Sequence, residues 1–123
     1  PRELNVDKAV AYPFIKTLNG WRKRGGKNYL HFGKAVKPLA VACGENKYKL
    51  EDGRSYLRVP EITSSAYEYR GKTVQFLINY NLHNVTAELP RDVILYFDDE
   101  LKTTTKGKKI EVPALSVVMA ELS

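Results

Sequence analysis

Cysteine occurs once in this chain, at Cys43, so no disulfide can close within it and no zinc site can be built from its thiolates. That scarcity leaves the compartment open, since many secreted proteins carry no disulfide either. Histidine is nearly as rare. His31 lies in Tyr-Leu-His-Phe-Gly and His83 in Asn-Leu-His-Asn, and neither stands in a motif that would give an imidazole a nucleophilic partner. No apolar run approaches the roughly 18 residues that cross a bilayer. No leader pattern of charge, apolar stretch and small residues opens the chain. It begins at Pro1 rather than Met, and we expect it to be cut from something longer. Gly25-Gly26 has none of the other elements of a phosphate-cradling loop, and no internal repeat or low-complexity segment is present.

What is present describes a single domain. The 123 residues are 43% hydrophobic and 28% charged, which is ordinary globular composition. A chain of this length buries roughly two-thirds of its unfolded surface, enough for one core. The net charge of +6 is placed unevenly: residues 1–38 hold nine Lys and Arg against two acids, and residues 39–123 hold eleven against twelve. The basic run from Trp21 to Lys27 could meet phosphates. Cations at the end of a helix also complement its dipole, however. The basic residues are not interleaved with an aromatic-bearing sheet, as single-strand binding requires. Neither a nucleic-acid partner nor a membrane partner is expected.

Periodicity changes where the charge does. Phe14, Ile15, Leu18 and Trp21 recur at helical spacing. Pro13 suits the first helical position, and Gly25-Gly26 is a stop signal. A second short helix is expected over 28–32, capped by Asn28 and ended by Gly33, with a further turn over 5–11. Beyond residue 38 the pattern is strand-like. Strands are expected over 39–42, 47–50, 55–59, 62–69, 72–80, 85–89, 93–97, 109–112 and 115–122, punctuated by Asp52-Gly53, Arg70-Gly71, Leu89-Pro90 and Lys106-Gly107. The expected fold is mainly β: an antiparallel Ig-like sandwich of about seven to nine strands, preceded by one or two short N-terminal helices. It divides into a helical segment, 1–38, and a sandwich, 39–123.

A two-residue loop at Arg70-Gly71 would pair Tyr69 with Lys72, Tyr67 with Val74 and Ser65 with Phe76. Cross-strand partners share a face. Val74, Phe76, Ile78 and Tyr80 then form the more apolar face, the expected core, with Tyr67 pointing inward. Gln75, on the opposite face with Thr73, Leu77 and Asn79, is expected to meet solvent.

Eight tyrosines and one tryptophan suggest a surface on which sugar rings stack, although aromatics mainly supply buried area. Tyr48, Tyr56 and Tyr96 are the candidate carbohydrate contacts. Glycoside hydrolysis needs two carboxylates flanking the scissile bond. The acid clusters, Glu51-Asp52 and Asp98-Asp99-Glu100, fall at turns, where acids serve local hydrogen bonds and lack the burial that raises one pKa for acid catalysis. The second cluster also lacks the alternating ligand positions of a calcium loop. Cys43 reads as a small buried hydrophobe. No catalytic residue, cofactor-binding residue or metal ligand is therefore expected.

Two stretches resemble a known class. Residues 72–80, an apolar strand that follows a glycine turn and ends in Asn-Tyr, lead through a short polar loop to Val-Thr-Ala-Glu-Leu at 85–89. The ending, Ile-Glu-Val-Pro-Ala-Leu-Ser-Val-Val-Met-Ala-Glu-Leu at 110–122, is similar to a closing strand pair. Both resemble the C-terminal β-sandwich domains that follow the (β/α)8 catalytic barrel in bacterial glycoside hydrolases. Residues 13–37 look like the last barrel helix running out into the sandwich. The resemblance implies a non-catalytic accessory domain whose partner is the parent's catalytic barrel, with polysaccharide as a further partner and no cofactor. A secreted, periplasmic or cell-surface location goes with it. A free-standing carbohydrate-binding module and an Ig-like adhesion or interaction module are the alternatives.

Overall fold

The computed structural model describes residues 8–122. Helix α1 spans Lys8–Lys23 and α2 spans Lys27–Phe32. Pro13 lies inside α1 rather than at its first position, which forgoes the one helical N–H that proline lacks. The turn expected over 5–11 is in part the first turn of α1 and in part outside the described residues. Arg22 and Lys23 occupy the last turn of α1, where cations meet the carbonyl end of the dipole. The cap of α2 is Gly26 rather than Asn28, with no side-chain hydrogen bond. A Cβ on Gly26 would stand 2.9 Å from the Phe76 ring and 3.0 Å from the Trp21 carbonyl, so this close approach sets where the second helix begins. Gly33 ends α2, its N–H donating to the Tyr29 carbonyl at 3.0 Å.

Among the described residues eight strands follow: β1 Lys34–Val36, β2 Glu45–Lys49, β3 Tyr56–Pro60, β4 Ile62–Tyr69, β5 Lys72–Asn79, β6 Val85–Tyr96, β7 Thr104–Val112 and β8 Ser116–Glu121. The fold is mainly β and sandwich-like. One sheet runs β1-β4-β5-β8-β6-β7, and β2 and β3 form a separate ribbon. All pairings are antiparallel. Arg70 (φ 52°) and Gly71 (φ 80°) both take positive φ, the signature of the tight hairpin turn whose twist matches that of its strands. The register is the expected one, with Tyr69 opposite Lys72, Tyr67 opposite Val74 and Ser65 opposite Phe76.

Both faces of this sheet are buried. On one, Val74 and Phe76 of β5 and Val117 and Met119 of β8 close over Trp21, with Leu18, Leu30 and Tyr67 packed around them; Tyr80, expected on this core face, lies beyond the end of β5 and is 57% exposed. On the other, Leu77 of β5 and Val118 and Ala120 of β8 meet Ile62, Val85, Ala87, Leu89, Val93, Leu95, Ile110 and Val112. The expectation that Gln75 faces water is therefore corrected: its side chain is 0% exposed. Its Oε1 accepts the Leu39 N–H at 2.8 Å, and its Nε2 donates to the Leu39 carbonyl at 3.0 Å and to Ser64 Oγ at 2.6 Å.

The second core exists because the sheet curls. The segments expected as two strands, 85–89 and 93–97, form the continuous β6, interrupted where residues 89–92 stand opposite Lys108 alone. Pro90 lies in this bulge, where it withholds no ladder hydrogen bond, and a bulge bends its strand. β7 thereby touches β5 although β8 and β6 lie between them. Residues 39–42, expected as a strand, form none; they are tied to the sheet by the Ala42–Glu88 bridge and by the bonds of Leu39 to Gln75. Leu39, Val41 and Cys43 pack against the core there.

Candidate functional site

The two acid clusters are built into turns. Asp98 accepts backbone N–H groups of Thr103 at 2.6 Å, Lys102 at 3.0 Å and Glu100 at 3.2 Å. The Thr103 N–H, ahead of those of Lys102 and Glu100, holds its carboxyl below the usual aspartate range. Asp52 does the same for Ser55 and Arg54, whose N–H groups each lie 2.8 Å from Oδ1, and its pKa is lowered by Ser55 first and Arg54 next. Asp99 takes Arg24 in a two-pronged pair, Nε at 3.0 Å and Nη2 at 2.8 Å, which clips the end of α1 to the β6–β7 turn. Among the described residues no three His, Cys, Asp or Glu side chains gather where they could share an ion.

These carboxylates are expected to make the fold sensitive to acid. A depressed folded pKa contributes stability above the unfolded value, about 3.9 for aspartate, and that stability is lost as pH falls through the folded value. The Tm gap between the native chain and Asp98→Asn is expected to be widest near neutrality and to close in acid. A gap independent of pH would mean that the charge of Asp98 contributes nothing.

The histidines stand apart. His83 Nε2 is 3.3 Å from Glu61 Oε2 on an exposed loop, and exposed His31 lies beside Phe32. Asn79, the residue that ends β5, is 0% exposed. Its Nδ2 lies 3.0 Å from the His83 and Val112 carbonyls and 3.1 Å from that of Pro113, and its Oδ1 accepts the Asn81 N–H at 2.8 Å. Asn81 in turn receives Asn46 Nδ2 at 2.9 Å, anchoring the β2–β3 ribbon. This amide chain is architectural.

The three tyrosines singled out as sugar contacts do not come together. Tyr48 pairs with Leu57, and Tyr56 with Lys49, so these two exposed rings occupy opposite faces of the ribbon. Tyr96 lies half-buried on the main sheet, its hydroxyl donating to Glu121 Oε1 at 2.9 Å. Burial, then the hydrogen bond to Glu121 and its charge, push its phenol pKa up.

A different set of rings does meet. Phe32, 66% exposed at the end of α2, lies 6.2 Å from the Tyr69 ring with 34° between planes. Tyr29 meets Tyr69 edge-on at 6.4 Å, and the Arg70 guanidinium stands 5.2 Å over the Tyr69 ring. Tyr29 and Phe32 are three residues apart on a helix and share a face, a signal present in the sequence. The meeting of that face with the β4–β5 turn was not. The β2–β3 ribbon contributes a second exposed apolar surface. Tyr48 and Leu57 share one of its faces, which is exposed (54% and 52%), while Lys47 and Arg58 pair on the other.

Comparison with protein-family models, with curated proteins and with solved structures found no match to this chain.

Proposed function

We propose that this chain is a non-catalytic accessory domain of a larger carbohydrate-active enzyme, a glycoside hydrolase, which packs against the catalytic barrel and stabilises it. The observation that carries the reading is how the acids are used. A glycosidase acid needs a carboxyl whose pKa is raised by burial beside a second carboxylate. Asp52 and Asp98 have theirs lowered by backbone N–H groups, and Asp99 is held by Arg24. The resemblance of residues 72–89 and 110–122 to barrel-following sandwich domains supplies the carbohydrate link.

The surface assigned to the barrel is the ribbon face bearing Tyr48 and Leu57. An isolated two-stranded ribbon is marginal in water, and large exposed side chains grouped on one face mark contact surfaces. The outer side of α1 is a poorer choice: Phe14 and Trp21 are buried inward, and its exposed Ile15 stands among the exposed Lys16, Asn19 and Lys23.

The purified chain is expected to release no aryl leaving group from a broad panel of aryl glycosides, and the reading frame upstream of codon 1 is expected to encode a (β/α)8 barrel carrying the paired acids. Turnover abolished by a single Asp or Glu substitution in this chain would overturn the proposal, as would an upstream frame that encodes no barrel.

A further inference from the structure

The two helices leave part of the sheet uncovered between them. Helix α1 packs on β8 and α2 on β4, and where they diverge a cleft of about 220 Å³ lies over Ser65, Phe76 and Ile78. Ser65 stands opposite Phe76, and its small side chain among large neighbours leaves the hollow unfilled. Trp21, Phe76 and Val117, all buried, form the floor, and Arg22 is exposed at the rim. No residue of the β2–β3 ribbon lines the cleft, and no acid does. We propose that this cleft binds a small aromatic carboxylate, with its ring on the Trp21 and Phe76 floor and its carboxylate on Arg22.

Size, floor and charge each narrow the ligand. A cavity of roughly 150 Å³ takes benzene, and drug-sized ligands need about 300 Å³ or more. The cleft, at about 220 Å³, therefore suits one six-membered ring bearing a short chain. Its floor is aromatic: Phe76 meets Trp21 edge-on at 6.0 Å and Tyr67 at 6.1 Å, and a further ring extends this favourable edge-to-face packing. Arg24, two residues beyond Arg22, is held by Asp99, whereas Arg22 meets no carboxylate among the described residues. A guanidinium carries donors only and matches a carboxylate through two parallel bonds. Ser65, Tyr67 and Tyr80, the other polar lining residues, carry hydroxyls, which donate to the same kind of oxygen. A cationic ligand would face the Arg22 charge with no acid in the lining to offset it.

Isothermal titration calorimetry of the full chain with 3-phenylpropionate, and with its uncharged amide, tests the proposal. Saturable binding of the acid is expected with a Kd of about 1 mM or below, ordinary for so few atoms. It should also change the emission of Trp21, the single tryptophan of the chain. The amide should bind about tenfold more weakly, the weight of one charge-assisted pair. Arg22→Gln should weaken the acid by the same factor and leave the amide unchanged, so that the two bind this variant alike. Arg22 is exposed, so the variant should keep its fold, verified by circular dichroism. Tyr48→Ala, on the ribbon, should leave both affinities unchanged. Four results would sink the idea: no saturable binding of the acid, acid and amide binding the native chain alike, binding of the acid indifferent to Arg22→Gln, or binding that leaves Trp21 emission unmoved. A dimer in sedimentation that Arg22→Gln separates would overturn it too, by giving the cleft to a second copy of the chain.

Discussion

Phe76→Ala is expected to destabilise the protein by about 3–5 kcal/mol, the cost of emptying a buried aromatic site. Phe76 is 3% exposed and lies at the junction of three elements. Its ring meets Trp21 of α1 edge-on at 6.0 Å and Tyr67 of β4 at 6.1 Å, and Gly26 fits beneath it. Truncation opens a cavity that rigid strands on one side and two helices on the other cannot readily close. Denaturant unfolding followed by Trp21 fluorescence measures the effect, because Trp21 is 2% exposed and its emission should be blue-shifted in the native state. The red shift should coincide with the loss of β structure by circular dichroism. A fluorescence change that precedes it would mean that the helices detach on their own and that Phe76 seals a surface rather than a core. Tyr67→Ala should cost less, since Tyr67 is only half-buried.

The buried amides should rank close behind. Asn79→Ala is expected to cost about 3 kcal/mol or more, because it removes one side chain that serves several buried backbone groups at once. The carbonyls of Val112 and Pro113 and the N–H of Asn81 lose their partner together, and the end of β5 comes loose from the turn between β7 and β8. Gln75→Ala should cost about 1–3 kcal/mol. Gln75→Leu should not restore it, since a leucine fills the volume but still leaves the Leu39 N–H unpaired. If Gln75→Leu matched the native chain in urea, packing rather than hydrogen bonding would account for the site.

Several features could be read locally. Arg70-Gly71 dictated a two-residue turn, because a glycine and one neighbour at positive φ suffice to reverse the chain with the right twist; the register of β4 against β5 and the inward direction of Tyr67 followed from it. The spacing of Phe14, Leu18 and Trp21 likewise fixed which side of α1 packs, although Ile15, read onto the same face, turns out to solvent. What could not be read was the fate of the second face of β5. Thr73, Gln75 and Asn79 are polar and only Leu77 is apolar, much as in a solvent-facing row, and nothing near them in the chain says otherwise. Leu77 and Asn79 became interior because β6 bends at the bulge over residues 89–92 and carries β7 toward them, and Gln75 because Leu39 and Ser64 close over it.

The aromatic surface divides in the same way. Tyr29 and Phe32 were paired by helical spacing, and Tyr69 was placed beside the turn by hairpin parity. Their meeting depends on Gly26, whose missing side chain lets α2 settle against Phe76 and so brings Phe32 over the tip of the β4–β5 hairpin. Turn chemistry and periodicity act over a few residues and are written in the chain. Contacts between elements distant in sequence depend on how the sheet curls and where the helices dock, and those are decided only when the whole core assembles.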